Sequence, residues 1–300
     1  MELPTFEDVG DEKTRAFLSD PDYVDLCRWM RNLGNEPGEN DESRRIVETK
    51  SAHDQLLSVE DAKTLRGAVI IIEGGIGQGK TLLCKAIEKI AQKNEIPCHL
   101  ALEPVDGRAL ELFMKYGTKR LEEGSPKLIK AAELARMGAA IRMQFSMLRA
   151  RAHSIEKAAR AARDGHLSVV DRGPFGDSAF MVVTFVGKTV PEEFFVRYMI
   201  EYQRLYLSIG LPEKKTVIVR MNAPTSITYG RWVQRESAVG GNKYDSEYME
   251  RIERAHDACE KAWGKCLLYD NGNVPIEDSG IPSEAVVLTL LHSICEVCRS

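Results

Sequence analysis

Residues 67–81 read GAVIIIEGGIGQGKT. Ala68 to Ile72 is an unbroken apolar run rich in β-branched side chains, the pattern of a short strand buried on both faces, as in a parallel sheet. Gly74, Gly79, Lys80 and Thr81 then satisfy G-x-x-x-x-G-K-[ST], the phosphate-binding loop. Glycines let such a loop turn tightly and aim its N–H groups at an anion, with the positive end of the next helix behind them. The loop residues expected at a nucleoside triphosphate are Gly74, Gly75, Ile76, Gly77, Gln78, Gly79, Lys80, Thr81 and Leu82. Lys80 is placed for the β- and γ-phosphates, and Thr81 for a hydroxyl on Mg²⁺. The helical LLCKAIEKIAQK that follows supplies the context the motif needs.

Outward from that stretch, 300 residues at 43% hydrophobic suffice for a large α/β domain plus an extension. The formal charge of −4 is unevenly spread. Residues 1–66 hold 16 acids and 9 bases, net −7, leaving 29 acids and 32 bases, net +3, from residue 67 onward. A mildly basic domain suits a phosphorylated ligand, and it lacks the basic stripe of a nucleic-acid binder. The 7 cysteines are odd in number and scattered, which points to a reducing compartment; with an acidic start unlike a leader, the expected location is cytoplasmic. Cys295-x-x-Cys298 has no second pair beside it and reads as two ordinary helix positions. No apolar run reaches membrane-spanning length.

The domain division expected is an acidic, partly disordered N-terminal extension over 1–66 and a catalytic domain over 67–300. The extension carries one helical pattern, about 12–33, and a polar linker. Further strands are expected at 97–102, 167–170, 216–221 and 266–269, and helices at 82–93, 126–165 (crossing Gly138), 194–210, 244–264 and 282–299. Between 221 and 244 lies a polar segment holding Arg231, Arg235, Gly240 and Gly241. Strands alternating with helices give an α/β fold with a five-stranded parallel sheet, helices on both faces and a lid.

In such sheets ligands sit beyond the carboxyl ends of the strands. Three charged strand ends converge there: the phosphate loop, Glu103-Pro104 after the second strand and Asp171-Arg172 after the third. Singly, a Glu-Pro is a common strand terminus and an Asp-Arg a common ion pair. Together they provide a carboxylate to accept a hydroxyl proton and an arginine to hold it.

With these residues on the page, the chain resembles the deoxynucleoside kinases, which include deoxycytidine and deoxyguanosine kinases and herpesvirus-type thymidine kinases. The likeness spans about 67–264 and rests on EGGIGQGKT, LEPV at 102–105, QFSMLRAR at 144–151, DRGPFGD at 171–177 and RWVQR at 231–235. It implies a P-loop kinase fold and a homodimer packed through helices. It makes Glu103 the base at the sugar 5′-hydroxyl, assisted by Arg172, and gives Asp171 a share in organising Mg²⁺. Arg231 and Arg235 become the lid arginines that close on ATP phosphates. Gln144 becomes the glutamine that hydrogen-bonds the nucleobase. Arg151 lies seven residues on, within about 20° of the same helix face and roughly 10 Å along the axis, whereas Arg149 points about 140° elsewhere. Deoxycytidine and deoxyguanosine kinases are similar in carrying that arginine and an aspartate placed as Asp177 is. Tyr116 is the candidate for the sugar 3′-hydroxyl and Glu236 the nearest match to the lid's sugar-binding glutamate. Arg108 stands where the family has an aromatic residue after Glu-Pro-Val.

Two other nucleotide-binding classes share parts of this pattern. Asn242-Lys243-Tyr244-Asp245 matches the N-K-x-D of GTPases but does not end an apolar strand. Thymidylate kinase shares the loop, Glu-Pro and Asp-Arg, yet carries an arginine where Leu102 stands. The herpesvirus-type thymidine kinase stays open through the wording Asp-Arg-Gly-Pro.

Overall fold

The protein is described from a computed structural model, which covers residues 44–47, 57–104, 106–117, 126–237, 246–260, 266–272 and 282–300. The helix expected at 12–33 and the N-K-x-D stretch lie outside these residues. The strands are β1 (Arg44–Val47), β2 (Val69–Glu73), β3 (Cys98–Ala101), β4 (Leu167–Asp171), β5 (Thr216–Asn222) and β6 (Cys266–Asp270). The helices are α1 (Val59–Leu65), α2 (Lys80–Lys93), α3 (Gly107–Leu112), α4 (Pro126–Arg163), α5 (Pro174–Val186), α6 (Glu192–Ser208), α7 (Thr225–Ser237), α8 (Ser246–Glu260) and α9 (Glu284–Arg299).

All five expected strands form, and every pairing is parallel, in the order β1-β6-β5-β2-β4-β3. The sheet has six strands rather than five, because Arg44–Val47 pairs with β6. Two described segments before residue 67, β1 and α1, thus pack on the sheet and its helices. α1 packs on α9 and sends Leu65, wholly buried, into the core. It starts at Ser58, whose hydroxyl accepts from the Asp61 N–H while Asp61 accepts in return, a capping box. Asp61 also pairs with Arg299 and stands beside His292. Burial raises its carboxyl, and hydrogen bonds from Ser58 and Arg299 outweigh that, bringing it down to about 2.

β2 lies at the centre because both its faces are apolar. Ile70 and Ile72 face α2 and α9, while Val69 and Ile71 face α4. Each buried aliphatic side chain contributes roughly 1.5–3 kcal/mol. α4 runs unbroken through Gly138, where a glycine costs about 1 kcal/mol against alanine, since Ala139 and Ala140 beside it are buried. The polar stretch expected before the lid glycines is helical, as α7; its apolar anchor is Trp232, 2% exposed. Cys295 and Cys298 sit on α9, and burial pushes the Cys295 thiol up to about 12, as suits an inert core position.

Candidate active site

At the carboxyl ends of β2, β3 and β4 opens a cleft of about 780 Å³, lined by phosphate-loop residues, Glu103, Gln144, Arg151, Arg172 and Arg231. The loop itself takes left-handed backbone at Gly77 and Gly79, φ +76° and +86°, where a side chain would be strained. Lys80 donates to the Gly75 carbonyl at 2.7 Å, curling over the loop. Burial depresses its ammonium, and Arg172 adds to the effect, down to about 8, although Glu103, Asp171 and Glu73 pull the other way. An arriving phosphate adds the negative charge that reverses such a shift.

The Thr81 hydroxyl donates to Asp171 Oδ2, joining the start of α2 to the end of β4. Asp171 Oδ1 is buried and has no hydrogen-bond partner among the described residues. A hydroxyl and a carboxylate with a spare oxygen form the hard-oxygen set that suits Mg²⁺, which takes one or two carboxylates plus phosphate oxygens. The residues present therefore fit that ion.

Arg172 is the strained member, a non-glycine residue at φ +68°. Such backbone costs about 1–3 kcal/mol and must be held from outside. Its own N–H bonds the Ile72 carbonyl at 2.9 Å, and the Gly173 N–H bonds Glu73 Oε1 at 3.0 Å. Glu73 is wholly buried, and a Cβ on Gly173 would come within 2.4 Å of Ile71 while one on Gly176 would come within 2.5 Å of Glu73. The glycines of DRGPFGD thus let the turn close on that carboxylate. Burial raises the Glu73 carboxyl, with Arg172 as the main opposing charge. Held this way, Arg172 donates to the Gly74 carbonyl and to Glu103 Oε1, each at 2.9 Å.

Glu103 meets both arginines, since Arg151 also donates to Oε1. Its side chain keeps 27% exposure and faces the cleft. Burial pushes its carboxyl up, but Arg172 and then Arg151 and Lys80 outweigh that and hold it far below the usual carboxylate range. The other nitrogen of Arg151 meets Asp177. Gln144 and Arg151 share the cleft wall, as their spacing on α4 requires, and Gln144 donates to the Thr184 hydroxyl at 3.4 Å. Arg149 turns away to Glu201 on α6.

Tyr116, Asp177 and Gln78 stand elsewhere than in the cleft wall, which Gly74, Gly75 and Asp171 also do not line. Tyr116, on the π-turn Phe113–Gly117 after α3, is 40% exposed beneath the Lys115 ammonium; Phe113, an apolar residue, takes the wall position instead. Asp177 is wholly buried behind Arg151, so it holds the arginine and does not line the cleft. Gln78 is also wholly buried, with its amide turned to Glu253 of α8. Arg231 reaches the wall and donates to the Asn271 carbonyl at 3.1 Å. The side chains of Arg235 and Glu236 lie outside the described residues, as do Gly240 and Gly241. Arg108, exposed, pairs with Glu111.

Glu73, Met143 and Met147 join the site beyond the residues expected from sequence, and Trp232 lines the cleft from within the RWVQR motif. Glu73 was legible as a charge ending an apolar strand. The two methionines carry no chemical signal until α4 brings them beside Gln144.

A scan against protein-family models and a search of curated proteins find no match to this chain. Among solved structures, deoxyadenosine kinase from M. mycoides with bound dCTP has a TM-score of 0.51 at 16% identity, over 75% of this chain and 97% of that one. The same enzyme with bound dATP has a TM-score of 0.50 at 17% identity, over 75% of this chain and 98% of that one. The chain has the α/β fold of these kinases.

Proposed function

We propose that the protein transfers the γ-phosphoryl group of ATP to the 5′-hydroxyl of a deoxynucleoside, giving the monophosphate. The observation that carries this reading is Glu103, held by Arg172 and Arg151 in the same cleft as Lys80 and Thr81. A carboxylate in that place accepts the hydroxyl proton, and the two guanidinium groups orient it toward the phosphate loop. Lys80, the loop N–H groups and Arg172 receive the phosphoryl charge. Arg231, with Arg235 beside it on α7, completes the ATP side. Thr81 and Asp171 would hold Mg²⁺, which neutralises phosphate charge when bound. Tyr116 and Glu236 are the proposed sugar contacts.

The acceptor preference proposed is deoxycytidine or a purine deoxynucleoside over thymidine. Cytosine presents an amino donor and thymine a 5-methyl and an acceptor. Gln144 beside the Arg151–Asp177 pair offers amide and guanidinium edges to a polar base, and a base that leaves them unmatched is rejected. Arg151 also touches Glu103, so a base that draws the guanidinium toward itself relieves the charge that keeps Glu103 a weak base. The partner reading is a small-molecule deoxynucleoside and a second copy of the chain. Support for a homodimer packed through helices is the groove between α4 and α6, where exposed Ile200 and half-buried Phe145 and Phe194 lie among Arg142, Arg197 and Arg204.

Incubating the protein with ATP, Mg²⁺ and each nucleoside or nucleoside monophosphate, and identifying the product, tests the reading. Phosphorylation of deoxycytidine or a purine deoxynucleoside is the expected result. Thymidine used best would favour the herpesvirus-type alternative, thymidine monophosphate would favour thymidylate kinase, and no product from any acceptor would refute the proposal. Sedimentation as a monomer at micromolar concentration would remove the dimer.

A further inference from the structure

We infer that Glu253, neutralised by Arg220, is a positioning residue for the phosphate loop, fixing its peptide orientation through Gln78. This rests on the reading that the loop holds ATP. Arg220 lies inside β5 and is 1% exposed. It donates to the Met221 carbonyl at 2.6 Å and to Glu253 Oε2 at 2.7 Å, with Asp257 at 3.6 Å. The other oxygen of Glu253 accepts from the Gln78 amide at 3.1 Å. The Gln78 carbonyl in turn accepts from the Asn271 side chain.

Gln78 is therefore held at both ends, by its side chain and by its carbonyl. In a trans peptide the carbonyl of one residue and the N–H of the next point in opposite directions. Fixing the Gln78 carbonyl toward Asn271 fixes the Gly79 N–H the other way. A flipped peptide would present an oxygen where a phosphate is to bind, and the left-handed glycines on either side leave the backbone free to make that flip. The fit at Gly75 supports the same role. A Cβ there would come within 1.7 Å of Glu253 Oε1, so the carboxylate lies directly against the loop. A carboxylate near a triphosphate repels it unless its charge is answered, and Arg220 answers it from within the sheet.

The test measures binding of a nonhydrolysable ATP analogue with Mg²⁺ by calorimetry, alongside the melting temperature, on the full chain. Gln78→Ala removes the link and leaves the ion pair, so it should weaken the analogue about tenfold in a protein that still melts cooperatively, at a temperature lowered by the lost buried hydrogen bond. Arg220→Met with Glu253→Leu replaces the buried pair by apolar residues of similar size, which such pairs tolerate, and should show the same loss of analogue affinity in a folded protein. Nucleoside affinity should be unchanged in both, a split that a merely structural role would not produce. Wild-type affinity for the analogue in either folded variant would overturn the inference. If the double variant does not fold, Gln78→Ala decides alone. Wild-type protein that binds no analogue would remove the loop reading itself, and this inference with it.

Discussion

Two buried charge clusters flank Gly74, and they are built oppositely. On the β4 side, Arg172 and Arg151 converge on Glu103, whose side chain opens to the cleft. On the β5 side, Arg220 meets Glu253 and the main chain, and neither residue lines the cleft. A buried guanidinium that no ligand reaches needs partners within the protein, so the second cluster must be complete as it stands. The open one need not be, because a ligand can supply what it lacks. On the proposed function, the first cluster is where substrate would act and the second is support.

The comparison breaks most sharply at Glu103. Glu103→Gln should retain nucleoside binding and lower turnover by about 10²–10⁴, the usual worth of a general base. Steady-state kinetics with binding measured separately check this, and near-wild-type turnover would move the open cluster into the supporting class. The next effect in size is on acceptor choice. Arg151→Met with Asp177→Ala should raise thymidine relative to deoxycytidine by about 10- to 100-fold in kcat/KM, as one lost polar base contact implies. An unchanged ratio would detach that pair from the base.

Lys80, beside the first cluster, gives a pH test. Its ammonium titrates near 8 in the free protein and higher once a triphosphate binds, so the complex holds more protons than the free protein above that value. ATP affinity should be level below pH 8 and fall above it, by at most about tenfold per unit. Affinity flat to pH 10 would contradict it. Glu103, held low by two arginines, should add no loss of activity between pH 7 and 5.

The smallest effects concern the sheet edge. A chain lacking residues 1–43 should keep full turnover, since every site residue lies later. One lacking 1–60 also loses β1 and the Ser58 cap, and should melt lower, the cap alone being worth about 1 kcal/mol. Paired melting curves of the two truncations would show it.

The sequence alone determined the central strands, the phosphate loop and the strand-end carboxylate and arginine. These are local signals: an apolar run, glycine spacing, and charges placed where strands stop. The pairing of Gln144 with Arg151 on one wall was also legible, because helical periodicity fixes it over two turns. Only the tertiary structure decided that Asp177 lies behind Arg151, that Tyr116 faces solvent, and that Gln78 turns to α8. It alone brought Arg220 and Glu253 together against the loop, and added β1 to the sheet. Those relations join residues distant in the chain, and the contacts that fix them come from how helices dock on the sheet, which no spacing along the sequence encodes.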